Sequence, residues 1–338
     1  MPLSVICPPV KGNILTISNG PARQHPWRYL FLFVVIYLGS IGITIFLAPM
    51  VQKLLWTYHS NNPTPLTNYL VGKPFGKIFD RTCWIPLSLG ILYLLKTTGL
   101  LSFKRLGISW RHCGQWLRFF TLGAALSVLI CMAQLVAAPW TFKDESVVGV
   151  LAKAFGCAVL VSTLEEIVFR ALIPCLIRNA MGAVLALVLS SAFFAYVHFK
   201  IPPDVGNFYG ASIDLGQSAD VGWAYLTGIG TTFSCIPYFF LFTLGALLVL
   251  LVYRFSNPMA GMGFHCGLVF TLLLYRKVIC FAADSSSNLL GTNHLIDSPL
   301  ALILLCALFF YQCSCLVAQT QGADFSGTSP VPLRTPRT

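Results

Sequence analysis

Residues Val147–Ile177 read VVGVLAKAFGCAVLVSTLEEIVFRALIPCLI, a hydrophobic run that carries Glu165, Glu166 and Arg170 in its second half. About 20 apolar residues suffice to cross a bilayer, so the run is long enough to span one. Each ionised side chain at the centre of a membrane helix costs about 2.5–3.5 kcal/mol, and three would cost roughly 8–10 kcal/mol uncompensated. Glu166 and Arg170 stand one helical turn apart and can neutralise each other as an internal ion pair. That pairing leaves Glu165 over. Two adjacent carboxylates in a low dielectric resist ionising together, which suits one of them to take a proton from water and return it to a leaving amine.

Composition agrees with a membrane setting. Of 338 residues, 56% are hydrophobic and only 10% charged, and the mean hydropathy is +0.76. Soluble domains carry about 25% charged residues, so a soluble enzyme, a nucleic-acid-binding domain and a disordered chain are excluded. Lys+Arg (22) exceed Asp+Glu (11) to give +11. In a membrane protein this reads as basic loops at an anionic cytoplasmic face, not as a nucleic-acid partner. Of the twelve cysteines only Cys7, Cys83 and Cys113 sit in polar surroundings, and no C-x-x-C pair exists. The others read as small packed hydrophobes, with no disulfide framework.

Seven further runs flank the first. Tyr29–Val51 follows Arg23 and Arg28; it is too long for a signal-peptide core and lacks a small-x-small cleavage site, so it reads as a retained helix. Cys83–Phe103 and Leu117–Ala138 come next, and Gly182 opens a run that ends at His198. Trp223–Tyr253 is too long for one straight helix, and Gly228, Gly230 and Pro237 predict a re-entrant or short piece before the true span. The turn Arg254–Pro258 leads into a span that reaches Ala283, and Pro299–Ala318 closes the set. The expected fold is all-α: a polytopic membrane protein with about eight transmembrane helices in one bundle. The chain divides into a polar segment 1–28, three helices with connectors 29–145, a core 146–283, a loop and last helix 284–318, and a disordered tail 319–338. The expected location is multi-pass in the plasma (inner) membrane, with the lipid bilayer as its surroundings. An inside amino terminus gives a modest inward bias of Lys and Arg.

Two of the six histidines fall in neighbouring spans: His198 ends Phe194-Ala195-Tyr196-Val197-His198, and His265 sits in Gly263-Phe264-His265-Cys266-Gly267. A single intramembrane histidine is as readily a hydrogen-bonded packing residue as a catalytic one. Two beside a Glu-Glu cluster favour chemistry. Measured from the turn at 179–182, Glu165 and His198 lie roughly 20–27 Å up antiparallel helices at 1.5 Å per residue, so they can share one layer.

Glu165-Glu166-x-x-x-Arg170, Phe194-x-x-x-His198 and His265, in that order, resemble the three-motif signature of the CPBP family. That family contains the CAAX prenyl endopeptidases and many bacterial glutamic-type intramembrane proteases. Phe242-Thr243-Leu244-Gly245, with a histidine twenty residues after the glycine, resembles the family's run into its third motif. The resemblance covers Val147 to Ala283 and implies an intramembrane endopeptidase that hydrolyses a membrane-associated protein or peptide precursor, without cofactor or metal. It implies Glu165 as the base that activates water, with Glu166 supporting it and pairing with Arg170. His198 would hold the water or the peptide, and His265 would help stabilise the oxyanion. One position departs. Where the third motif usually continues to Asn or Asp, this chain has Val269, which donates no hydrogen bond; losing one oxyanion donor costs about 10²–10³ in rate.

Three other readings compete. Val269 favours a catalytically weak or silent family member that acts as a membrane binding or immunity protein. Two histidines and a glutamate could ligate zinc, although no H-E-x-x-H is present. Glu165 could serve as the proton site of an ion-coupled transporter, against which stands the lack of a detectable inverted repeat. Other features read as structural. Trp27, Trp84, Trp116 and Trp223 are expected as interfacial anchors, and Asp204, Asp214 and Asp220 as a solvated loop face. Gly261-x-Gly263 lacks the strand a nucleotide fingerprint needs. Cys313-x-Cys315 is expected to pack in the core.

Overall fold

Helix α1 (Pro26–Asn61) begins with a proline, whose missing N–H costs nothing in a first turn. The computed structural model describes residues 24–137, 139–143, 147–199, 205–281, 289–291 and 295–325. Within α1, the hydroxyls of Ser40 and Thr44 donate to the carbonyls of Ile36 and Ser40, each at 2.6 Å, so both are satisfied in apolar surroundings. A capping box between Thr64 and Thr67 starts α2 (Pro65–Val71). In α3 (Phe75–Thr97) the first N–H groups find partners far along the chain. Phe75 donates to the Phe208 carbonyl at 2.8 Å and Gly76 to the Gly206 carbonyl at 2.9 Å, so the connector after His198 closes this helix end.

Helix α4 (Cys113–Ala137) leads to β1 (Trp140–Phe142). The Val147–Ile177 run folds as α5 (Val147–Glu166), a π-helical turn (Ile167–Leu172) and the start of α6 (Ile173–Met181). Gly182, at φ 90°, adopts a backbone that a side chain would strain, and it separates α6 from α7 (Ala183–Tyr196). After the connector come α8 (Leu215–Thr227), α9 (Ile229–Thr232) and α10 (Cys235–Phe255). Helix α11 (Met259–Val278) is started by Asn257, whose side-chain oxygen accepts from the Met259 N–H at 3.0 Å. The Asn257 amide is held in turn by Gln115 on α4 at 3.0 Å. Strand β2 (Ile279–Phe281) pairs antiparallel with β1 and ties the end of α11 to the end of α4, and α12 (Pro299–Phe325) follows.

Helix α11 packs against α4 on one side and α5 on the other. The α4 side is made of glycine. A Cβ at Gly263 would stand 2.1 Å from the Trp116 carbonyl oxygen, and one at Gly267 would stand 2.2 Å from that of Phe120. Gly123 on α4 would meet the Phe264 carbonyl at 2.2 Å. Backbone thus touches backbone, as small-xxx-small packing allows in membranes.

The chain is a helical, multi-pass integral membrane protein. Each of the eight expected hydrophobic runs is helical over most of its described length, but the second ends its helix at Thr97, short of Phe103, and the seventh at Val278, where β2 follows; Ala138 and Ala283 lie outside the described residues. Six helical stretches among the described residues are long and apolar enough to cross a membrane by themselves: Pro26–Asn61, Phe75–Thr97, Trp110–Ala137, Cys235–Phe255, Met259–Val278 and Pro299–Gln319. The run ending at His198 is shorter, with 14 residues in α7. The sixth run breaks into α8, α9 and α10 and begins as early as Leu215. That start corrects the reading of the aspartates as a loop face: Asp214 caps α8 in a capping box with Gln217, and Asp220 lies inside the helix. Asp204, Cys7, most of the segment 1–28 and residues 326–338 of the tail lie outside the described residues, while α12 continues to Phe325. Trp116 stacks on Phe120 at 5.2 Å as part of the α4 packing face.

Candidate active site

The π turn starts immediately after Glu166 and contains Arg170. Such wide turns interrupt the regular ladder and often mark functional positions. Here the turn follows two carboxylates and leaves both facing α11. Arg170 Nε lies 3.4 Å from Glu166 Oε1, with the two side chains 1% and 0% exposed. The guanidinium also lies over the Phe194 ring at 4.1 Å, a cation–π contact strengthened by the absence of solvent.

His265 joins the two carboxylates. Its Nδ1 is 3.1 Å from Glu166 Oε1, a hydrogen bond, and its Nε2 is 3.8 Å from Glu165 Oε2, ion-pair range but too long for a hydrogen bond. Glu165 is the most accessible member at 19% side-chain exposure, against 5% for His265. Glu165 Oε2 has no hydrogen-bond partner within the protein. Glu166 presses close to α11, where a Cβ at Gly261 would come within 2.8 Å of Glu166 Oε2. Gly261, His265 and Val269 succeed one another at one-turn intervals, so they share the face opposite Gly263 and Gly267. This alternation of glycines and histidine over about two turns fixes α11 between α4 and the carboxylates.

His198 stands apart from this cluster. It is exposed just beyond the end of α7, and its Nδ1 contacts the Phe194 carbonyl at 2.8 Å. A carbonyl only accepts, so Nδ1 carries a proton and in the neutral ring Nε2 keeps its lone pair. The Phe194 ring bridges the two histidines, with its centroid 4.7 Å from the His198 ring and 6.3 Å from that of His265. His198 and Glu165 border the same cavity of about 660 Å³.

That cavity has walls the sequence reading did not assign. Phe33 and Tyr37 of α1 and Lys77, Asp80, Arg81 and Trp84 of α3 line it. The connector that closes α3 contributes Gly206. Trp84, expected as an interfacial anchor, thus faces the site. Lys77, Asp80 and Arg81 precede the expected span Cys83–Phe103 and belong to no motif; the spacing of Lys77 and Arg81, one turn apart, was the available signal that the helix starts earlier, at Phe75. Gly263-x-x-x-Gly267 was also legible as a helix-packing motif. Among the described residues no group of three His, Cys, Asp or Glu side chains is arranged to hold a metal ion.

The same stretch carries a family match. Residues 147–271 match the Rce1-like family, described as type II CAAX prenyl endopeptidase Rce1-like. The match agrees with the CPBP assignment and contains Glu165, Glu166, Arg170, His198 and His265. No curated protein and no solved structure matches the chain. The Rce1-like segment begins with α5 and ends within α11, so it supplies the buried cluster, whereas α1 and α3 supply the opposite cavity wall from outside it. It is a membrane-protease family, in keeping with a membrane-embedded protein that acts on membrane-associated substrates.

Proposed function

We propose that this chain is an intramembrane endopeptidase that hydrolyses a peptide bond through water activated by Glu165. The observation that carries the reading is the placement of a partly accessible carboxylate, Glu165, at the wall of a cavity among apolar helices, backed by the buried His265–Glu166–Arg170 chain. His265 contacts both carboxylates and so holds Glu165 in place beside the Glu166–Arg170 pair. Glu165 takes a proton from water as the oxygen attacks the scissile carbonyl, then delivers it to the departing amine. His198, which borders the same cavity, orients the water or the peptide.

The cavity and the family match support a substrate reading. Its aromatic walls suit a lipidated or apolar segment, and Lys77 and Arg81 border it with positive charge that suits a peptide carboxylate. A prenylated tail with a free C-terminus has both features and is the first substrate class to test. Val269 supports one second reading, a silent family member that binds without cleaving.

Comparison of protein termini in membranes from cells that hold the wild-type chain and cells that hold Glu165→Gln separates the two. A protease yields termini that appear only with the wild type, at equal expression of both chains. Identical termini would discard the protease reading in favour of the silent one.

A further inference from the structure

A second cavity, of about 620 Å³, shares no lining residue with the one that Glu165 and His198 border. Ser102, Lys104, Arg105, Ser109 and His112 of the α3–α4 connector line it, with Asn257 from the turn between α10 and α11. Both segments join spans. The connector runs from the end of Phe75–Thr97 to the start of Trp110–Ala137, and the turn from the end of Cys235–Phe255 to the start of Met259–Val278. Four span ends meet at this pocket, which puts it at a membrane surface, at the level of the lipid headgroups.

The connector has a defined fold. Leu106 is buried, its N–H donates to the Ser102 carbonyl at 2.9 Å, and the Ile108 N–H donates to the Phe103 carbonyl at 2.8 Å. Arg105 Nη1 donates to the Gly99 carbonyl at 2.7 Å, which fixes the guanidinium and leaves its other donors for a further acceptor. Charge here is of one sign. No Asp or Glu stands between Asp80 and Asp144, nor between Asp220 and Asp284, so neither segment brings a carboxylate to the pocket. Among the described residues no carboxylate pairs with Lys104 or Arg105. A bound anion offsets the repulsion of neighbouring cations.

Apolar side chains on the same connector select the source of that anion. Leu101, Phe103 and Trp110 are 54%, 70% and 91% exposed, and they adjoin Lys104, Arg105 and Arg111 in sequence. Exposed aromatic residues beside basic ones at a span end rest among headgroups and upper acyl chains. We propose that this pocket binds the phosphate of an anionic phospholipid. Lys104 and Arg105 carry the complementary charge, His112 adds a ring N–H, and the acyl chains lie along Leu101, Phe103 and Trp110. Asn257 ties the pocket to the helix that bears His265, since its side chain accepts from the Met259 N–H at the start of α11. A bound headgroup thus braces the end of α11 that precedes Gly261 and His265. The inference does not depend on the protease reading.

The test titrates the purified full chain, in a non-ionic detergent, with dioctanoyl phosphatidylglycerol, and native mass spectrometry counts the bound lipid. Dioctanoyl phosphatidylcholine and inorganic phosphate are run at the same concentrations. The wild type is expected to retain a single phosphatidylglycerol and neither of the others. Each positive charge removed is expected to weaken binding about fivefold, so Lys104→Gln with Arg105→Gln weakens it about 25-fold. Lys104→Glu changes the charge by the same amount, leaves the Arg105–Gly99 bond intact and is expected to lose as much. Lys53→Gln with Lys153→Gln removes two exposed charges outside the pocket and is expected to bind as the wild type does. Equal retention of phosphatidylcholine, unchanged binding by Lys104→Glu, or an equal loss in the Lys53/Lys153 control overturns the proposal. Inorganic phosphate bound as tightly as phosphatidylglycerol would assign the pocket to a soluble phosphate and overturns the lipid reading.

Discussion

Substituting Gly263 with alanine tests whether helix packing sets the site. The added Cβ would lie 2.1 Å from the Trp116 carbonyl oxygen and 2.9 Å from its carbonyl carbon, both backbone atoms that cannot rotate away. Restoring an ordinary contact near 3.4 Å requires α11 to move roughly 1.3 Å away from α4. His265 lies on the opposite face of α11, so that movement drives it toward Glu166. The present 3.1 Å separation would shrink to roughly 1.8 Å, shorter than any hydrogen bond, so the ring and the carboxylate have to give way. Overpacking of this kind costs about 1–3 kcal/mol of stability. A misplacement near 1 Å at a reacting group costs about 10² in rate. Thermal unfolding in detergent and peptide cleavage measure the two effects, with Gly156→Ala on the exposed face of α5, where a Cβ meets nothing within 4 Å, as control. Gly263→Ala with both stability and rate at wild-type values would refute the packing argument.

Three further outcomes are expected. Arg170→Ala leaves the fully buried Glu166 without its cationic partner and is expected to lose about 3–5 kcal/mol, whereas the paired change Glu166→Leu with Arg170→Met loses less; chemical unfolding in micelles compares them. Val269→Asn, on the same face of α11 as His265, should preserve or raise kcat, and a large loss would mean that this position faces away from the reacting carbonyl. His198→Ala should abolish cleavage while the protein inserts into membranes normally, and retained cleavage would remove His198 from the mechanism.

The chain's hydrophobic runs and its one charged cluster were legible because both are exceptions to a background. Apolar runs of bilayer length announce spans, and Glu165, Glu166 and Arg170 stand out where charge is costly. The i,i+4 pairing of Glu166 with Arg170 follows from helical spacing and appears at 3.4 Å. The contact of His265 with both carboxylates was not legible, since it depends on how close α11 lies to α5. That approach is set by glycines meeting backbone on α4, a three-dimensional match between Gly123, Gly263 and Gly267. Tyr37 and Trp84 were out of reach for the same reason: they come to the cavity from helices far along the chain and belong to no motif. Asp214 was misread because a capping box and a polar loop share the same residue types; the Gln217 three positions on was the distinguishing sign.

The central claim is that Glu165 activates the water that cuts the peptide. Its most direct measurement is the rate at which purified wild type and Glu165→Gln release the C-terminal fragment of a peptide with a farnesylated cysteine three residues before a free C-terminus, read by mass spectrometry. Glutamine keeps the shape but cannot take the proton, so the fragment is expected from wild type and not from the variant, with both chains equally folded. Equal release by the two would contradict the account.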